Sequence, residues 1–134
     1  MIDYQTLMQS AQQARKNSYS PYSHFRVGAA LLTKGGKVYT GCNVENASYS
    51  ATNCAERTAI FKAVSEGERD FEALAIVGGR EGETADCCAP CGVCRQVISE
   101  FCGKDFKILL GNEKNFKVYT LEELLPLAFS DKDL

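Results

Sequence analysis

Three cysteines and one glutamate have the types and spacing that metal-dependent hydrolysis requires. Cys91 and Cys94 are three residues apart, and residues at that spacing share one helix face, so both thiols can reach one metal ion. Cys54 and Glu56 add a third thiol and an acid near the start of another predicted helix. Three ligands, unlike four, leave a position for a water molecule, whose pKa zinc lowers to about 7. The sequence therefore predicts a catalytic zinc site at these cysteines, with Glu56 as the group that moves protons.

The spacing of Cys54 and Glu56 does not by itself aim the carboxylate at the metal. Residues two apart on an ideal helix point about 200° away from each other around the helix axis. We therefore assume that the long side chain of Glu56 curls back at the first helical turn, where Cys54 has not yet entered helical geometry.

Other interpretations of the cysteine spacing stay open at this point. A Cys-x-x-Cys pair also occurs as a redox dithiol or as two small buried residues. Cys88 creates the spacing Cys88-x-x-Cys91-x-x-Cys94 with which an iron–sulfur run begins, although Ile98 stands where such a run would continue with a cysteine. Cys88 could also fill the open metal position. The protein would then be a metal-stabilised binding module without a substrate.

The elements that must position these residues follow from the hydrophobic pattern and from the turn residues. We predict helices over residues 3–19, 54–66, from Pro90 to about 101, and after Thr120, and strands over residues 25–33, 38–42, 73–77, 106–110 and 116–119. Alternating helices and buried strands are typical of layered α/β domains. We therefore expect one α/β domain over residues 1–134, with a five-stranded mixed sheet that has the N-terminal hairpin at its antiparallel edge.

Composition narrows the classes of function. The formal net charge is −2 and the 15 basic residues are scattered, which argues against a nucleic acid polymer as partner and favours a small-molecule substrate.

The first ten residues lack a basic start followed by an apolar run, and no stretch of apolar residues is long enough to span a membrane. The odd count of seven cysteines argues against a disulfide framework. We expect a cytoplasmic protein.

Longer stretches resemble one family. Cys54-Ala55-Glu56, followed by the run Pro90-Cys91-Gly92-Val93-Cys94-Arg95-Gln96, resembles the signature of the small cytidine deaminases. Residues 19–23, 25–30, 41–47 and 124–129 also resemble stretches of that family, so the resemblance covers nearly the whole chain. It implies a three-layer α/β/α domain, one zinc ion per subunit and a homotetramer. It also implies hydrolysis of cytidine and 2'-deoxycytidine to uridine and 2'-deoxyuridine, with release of ammonia.

The resemblance also implies roles for individual residues around the reacting base. Water activated by the metal attacks C4 of the cytosine ring, while Glu56 passes protons to N3 and then to the departing amine. Ala55 resembles the position whose backbone N–H meets the base. Arg57 resembles the arginine that donates hydrogen bonds to the ligand sulfurs. Phe25 and Phe129 resemble aromatic residues that pack on the pyrimidine, and Phe129 would reach into a neighbouring subunit's site.

Asn43 and Glu45 resemble the pair that binds the ribose. Two residues apart in an extended segment, both side chains would face the same way and could offer a donor and an acceptor to sugar hydroxyls. The same pair separates this chain from blasticidin deaminases, which share the cysteine and glutamate pattern but lack the glutamate of the ribose pair. Deaminases of nucleotides, guanine or transfer RNA usually have His-Ala-Glu where this chain has Cys54-Ala55-Glu56.

Overall fold

The fold was taken from a computed structural model that describes residues 2–134; Met1, the first residue of the predicted domain, lies outside the described residues. The helices and strands are α1 (Tyr4–Ala14), β1 (Phe25–Thr33), β2 (Val38–Cys42), α2 (Ala55–Ser65), β3 (Phe71–Arg80), α3 (Gly92–Phe101), β4 (Lys107–Gly111), β5 (Phe116–Thr120) and α4 (Leu121–Leu124). Within residues 2–134, no helix has the length and apolar character needed to cross a membrane.

The five strands form one mixed sheet in the order β2-β1-β3-β4-β5. Strand β1 runs antiparallel to both β2 and β3, β3 runs parallel to β4, and β5 returns antiparallel to β4. The predicted α/β fold with a five-stranded mixed sheet is confirmed, and the β1–β2 hairpin lies at its edge as expected.

The helices cover both faces of this sheet. On one face, Ala30 and Leu32 of β1 pack with the buried residues Leu7, Met8 and Ala11 of α1. On the other face, side chains of β1 pack with Ala59 of α2 and Ile98 of α3, within a cluster that includes Ala29, Leu31, Leu74 and Ile76. Successive strand residues point to opposite faces, so apolar runs such as β1 and β3 are buried on both sides. The three-layer arrangement is thus confirmed.

Two predicted boundaries were wrong. The first helix ends at Ala14 rather than near Tyr19, because the backbone of Tyr19 pairs with the segment after β2: its N–H donates to the carbonyl of Asn43 and its carbonyl accepts from the N–H of Glu45. Strand β3 extends to Arg80 rather than ending at residue 77 as predicted, because it pairs with β1 as far as Phe25.

The close approach of α1 to the sheet depends on Gly28. A Cβ atom at this position would clash with the backbone carbonyl oxygen of Ala11 and the backbone nitrogen of Arg15. Because neither backbone atom can move without displacing α1, we expect Gly28→Ala to lower the free energy of unfolding by about 3 kcal/mol. Urea unfolding followed by circular dichroism measures this loss. Gly35→Ala is the control, since the nearest atom to its Cβ, Thr33 Oγ1, would be 3.8 Å away; equal stability of the two variants would contradict the prediction.

Candidate zinc site and substrate cavity

The three predicted cysteine ligands meet where the N-termini of α2 and α3 come together. Cys54 is the N-cap of α2, Cys91 is the N-cap of α3, and Cys94 lies in the first turn of α3. Their sulfur atoms all lie within 4.8 Å of one another, and the sulfurs of Cys54 and Cys91 are 3.8 Å apart. The structure therefore brings together residues that are separated by 37 positions in the chain.

This arrangement fits a zinc ion. Tetrahedral zinc–thiolate bonds of about 2.3 Å place neighbouring sulfurs about 3.8 Å apart, which matches the Cys54–Cys91 distance. Hydrogen bonds from the Cys94 thiol and the Arg57 guanidinium to the Cys54 sulfur outweigh the opposing effect of burial and hold the pKa of the Cys54 thiol below its ordinary value. Thiolate is the form of cysteine that binds metals. The three cysteines thus form a site for one zinc ion per chain.

Glu56 lies beside the thiols, buried in the first turn of α2, with only 4% of its surface exposed. The extended backbone of Cys54 (φ −77°, ψ 157°) removes the geometric objection raised above, because the helical angle between residues two apart does not apply to a residue outside the helix. The pKa of Glu56 is raised to about 7, because burial, together with the nearby Cys54 thiolate, outweighs the lowering effect of hydrogen bonds and of Arg57. A pKa near 7 suits a group that both accepts and donates protons.

Arg57 supplies positive charge to the thiols. Its Nη2 donates a hydrogen bond to the Cys54 sulfur at 3.3 Å. Burial lowers the pKa of Arg57, but hydrogen bonds to Cys54 and Cys94 outweigh this and raise it, so the guanidinium stays charged. Three thiolates on a divalent ion carry a net charge of −1, and Arg57 offsets that charge.

Cys88 lies apart from the three gathered sulfurs, against strand β3. A Cβ atom on Gly78 would be 2.6 Å from the Cys88 sulfur and 3.2 Å from the ring of Phe25, so Cys88 occupies the space that the glycine leaves free. Burial raises the pKa of the Cys88 thiol to about 12. Cys88 is not among the sulfur atoms that lie within 4.8 Å of one another. Neither the iron–sulfur run nor a fourth cysteine ligand is supported by this placement.

We expect Cys88→Ser to bind one zinc ion per chain, as the wild type does, because the three gathered thiols are untouched. Metal analysis of the purified variant by plasma mass spectrometry checks this. Cys87→Ser, at the neighbouring exposed cysteine, is the matched control. Loss of zinc from the Cys88 variant alone would make Cys88 a ligand and the site a structural one.

A cavity of about 370 Å³ is lined by Tyr22, Ser23, Glu45, Tyr49 and Thr52. The Glu45 carboxylate accepts hydrogen bonds from the backbone N–H groups of Tyr22 at 2.9 Å and Ser23 at 3.1 Å, and from the Ser23 hydroxyl. Desolvation raises the pKa of Glu45, but the hydrogen bonds from Ser23 and Tyr22 outweigh it and lower the pKa overall. The carboxylate therefore stays ionised at the cavity wall and has lone pairs left for a further donor.

Asn43, two residues before Glu45, forms hydrogen bonds with the backbone of β1. Its Oδ1 accepts from the N–H of Val27 at 2.9 Å and from the hydroxyl of Ser18, and its Nδ2 donates to the carbonyl of Phe25 at 2.8 Å. An amide nitrogen has two protons, so one N–H of Asn43 is left to donate elsewhere. Asn43 thus joins β1 to the segment after β2, a role that its spacing from Glu45 did not predict.

The remaining predicted substrate residues lie in different surroundings. Ala55 is the fully buried first residue of α2, and Phe25 is half-buried at the start of β1, beside Cys88. Phe129 lies near the C-terminus, 60% exposed, where its carbonyl accepts a hydrogen bond from Gln96 at 2.8 Å. It is absent from the residues that line the Glu45 cavity.

Four residues that line the Glu45 cavity were not predicted from the sequence: Tyr22, Ser23, Tyr49 and Thr52. The first two lie between the predicted helix 3–19 and the predicted strand 25–33, and the other two lie between the predicted strand 38–42 and the predicted helix 54–66. No periodicity marks them, because their side chains come together only through the backbone pairing of Val44 with Tyr19 and Asn53.

Three thiol ligands would leave a bound zinc ion one position for water, and the buried Glu56 carboxyl lies beside these thiols. The fold and the site together define this chain as a zinc-binding hydrolase.

Comparisons with known proteins give the family. The model of the cytidine and deoxycytidylate deaminase zinc-binding region matches residues 1–110. A cytidine deaminase from Sporosarcina psychrophila is 52% identical over 134 residues, which cover 99% of this chain and 96% of the relative. A crystal structure of cytidine deaminase from Burkholderia pseudomallei matches with a TM-score of 0.88 and 47% identity, covering 96% of this chain and 100% of that one. A blasticidin-S deaminase from Bacillus cereus is 36% identical over 108 residues, covering 78% of this chain and 76% of its own. This chain belongs to the cytidine deaminase family.

Proposed function

We propose that this chain hydrolyses cytidine and 2'-deoxycytidine to uridine and 2'-deoxyuridine, with release of ammonia. The observation that carries the proposal is the buried Glu56 carboxyl beside three thiols that fit one zinc ion. Cys54, Cys91 and Cys94 would hold the metal. The identity to cytidine deaminases along nearly the whole chain supports the substrate class.

Glu56 would carry the protons of the reaction. When bound, zinc supplies a Lewis acid that makes water a sufficient nucleophile at neutral pH. The Glu56 carboxylate accepts a proton from the attacking water and delivers it to N3 of the ring as the C4–O bond forms. It then transfers the second proton of that water to the amine as the C4–N bond breaks, so one water is consumed and one ammonia leaves. Arg57 keeps the charge at the thiols balanced throughout.

Substrate would be held by residues of β1, of the segment after β2 and of α2. Phe25 packs on the pyrimidine, the backbone N–H of Ala55 donates a hydrogen bond to the base, and Glu45 accepts a hydrogen bond from a sugar hydroxyl. The remaining N–H of Asn43 is a second contact to the sugar.

The five residues that line the Glu45 cavity include no lysine or arginine. Without a cation, and with a carboxylate at the wall, the cavity favours a nucleoside over a nucleotide, because a phosphate would be repelled.

A homotetramer of this single domain is also part of the proposal, as is a cytoplasmic location. Apolar side chains near the C-terminus are exposed, with Phe129 at 60% and both Leu127 and Leu134 above 90%, and association of subunits would cover them. In a tetramer, Phe129 would complete the site of a neighbouring subunit. All seven cysteines are free, which agrees with a reducing compartment. Light scattering at micromolar concentration tests the assembly, and a monomer mass would contradict it.

The experiment that tests the function is turnover of a substrate panel by the zinc-loaded protein. The panel holds cytidine, 2'-deoxycytidine, 2'-deoxycytidine monophosphate and blasticidin S, and the products are separated by liquid chromatography. We expect both nucleosides to be deaminated efficiently and the nucleotide and the antibiotic to react poorly. Preference for blasticidin S would assign the chain to the antibiotic-deaminating branch, and no turnover at all would favour a zinc-stabilised binding module.

A further inference from the structure

Ser23 connects two of the residues proposed to bind substrate. Its hydroxyl donates a hydrogen bond to Oε2 of Glu45 and accepts one from the backbone N–H of Phe25 at 3.0 Å. A serine hydroxyl has one proton and two lone pairs, so both bonds form at once. The backbone N–H of Ser23 also donates to Oε1 of Glu45 at 3.1 Å. One residue thus ties the carboxylate at the cavity wall to the start of strand β1.

The turn that carries Ser23 is fixed by backbone bonds that do not involve its side chain. The N–H of His24 donates to the carbonyl of Ser20, and the carbonyl of His24 accepts from the N–H of Glu81, both at 3.0 Å. His24 itself adopts a left-handed conformation, with φ 58°, which reverses the chain just before Phe25. Because these bonds remain when the Ser23 hydroxyl is removed, the turn keeps its path without it.

Orientation of the Glu45 carboxylate, by contrast, depends strongly on Ser23. Oε2 accepts its bond from the Ser23 hydroxyl, whereas Oε1 accepts from two backbone N–H groups. Without the hydroxyl, the plane of the carboxylate can turn about the Oε1 bonds. A flexible acceptor must be ordered when ligand binds, and that ordering weakens affinity.

We propose that Ser23 is a positioning residue for nucleoside binding, which holds the Glu45 carboxylate in the orientation that a bound sugar requires. This inference rests on the proposed function, and it adds a residue to which neither the spacing nor the family signature assigned a role. Ser23 touches no reacting atom, so its contribution belongs to binding and not to the chemical step.

The test compares Ser23→Ala with Ser23→Thr in steady-state kinetics on cytidine. Loss of the hydroxyl should raise KM about tenfold and leave kcat within about twofold of the wild type, since the lost bond is to a charged group used in binding. Threonine keeps the hydroxyl at an exposed position and should restore KM. Ser65→Ala is the control, because that hydroxyl bonds only the carbonyl of Lys62 in its own helix, at 2.8 Å. Thermal unfolding of each variant reports whether the fold is kept.

A double-mutant cycle with Glu45→Ala separates positioning from a general structural effect. In the Glu45→Ala background, Ser23→Ala should reduce kcat/KM by no more than about twofold, because there is no carboxylate left to position. Fully additive losses, a fall in kcat at unchanged KM, or an unchanged KM in Ser23→Ala would each overturn the role of Ser23. A wild-type protein that does not turn over cytidine would overturn the proposed function, and this inference with it.

Discussion

Glu56→Gln is expected to reduce the turnover of cytidine by about 10²- to 10⁴-fold, which is the usual contribution of a general acid–base group. Glutamine has nearly the size of glutamate but cannot accept or release a proton at neutral pH. In wild-type protein, burial raises the pKa of Glu56 to about 7, so the carboxyl can act in both directions. Steady-state assays of uridine formation measure the loss, with zinc content determined on the same samples.

Zinc content and unfolding temperature distinguish a loss of proton transfer from a loss of folding or of metal binding. Glu56 supplies none of the three gathered sulfur ligands, so the variant should keep one zinc ion per chain and a normal unfolding temperature. Glu66→Gln, at the other end of α2, is the matched control and should keep full activity. Substantial turnover by zinc-loaded Glu56→Gln would show that another group carries the proton.

Cys91→Ala should lower zinc affinity by more than about 100-fold, since loss of a ligand exceeds the 10- to 100-fold effect of losing a residue that merely supports one. Turnover of cytidine should fall to background at zinc concentrations that saturate the wild type. Cys91 is exposed at the N-cap of α3, so its replacement leaves the core of the domain intact. Competition with a chromophoric chelator measures the affinity of both proteins.

Cys87→Ala is the control for this variant, because Cys87 is also exposed and lies only four positions earlier. It should retain wild-type zinc affinity and activity. Retention of tight zinc binding by Cys91→Ala would contradict the assignment of ligands and would direct attention to Cys88.

Much of the fold could be predicted because the signals are local. The β1–β2 hairpin has its predicted bounds, since apolar strand residues flank a Lys-Gly-Gly-Lys turn. The short helix α4 begins after Thr120 as expected, and there Thr120 and Glu123 form a capping box. The end of α1 could not be predicted in the same way, because it is set by backbone pairing of Tyr19 with residues 43–45, more than twenty positions away.

Some residues of the candidate site could be predicted from the sequence and others could not, for the same physical reason. The thiols could be predicted because the Cys-x-x-Cys and Cys-x-Glu patterns place thiol and carboxyl groups at predicted helix N-termini. The structure brings the three sulfur atoms within 4.8 Å of one another. The bonds of Asn43 and Ser23 could not, because each depends on which backbone groups lie nearby after folding. The orientation of Glu56 was assumed from the sequence, and its physical reason, the extended backbone of Cys54, is visible only in the structure.

The most direct test of hydrolytic deamination is to incubate zinc-loaded wild-type protein with cytidine in water enriched in heavy oxygen, and to analyse the products by mass spectrometry. We expect uridine with one labelled oxygen on the base, together with an equal amount of ammonia, because the oxygen of the new C4–O bond comes from water. Uridine without label, or no uridine at all, would contradict it.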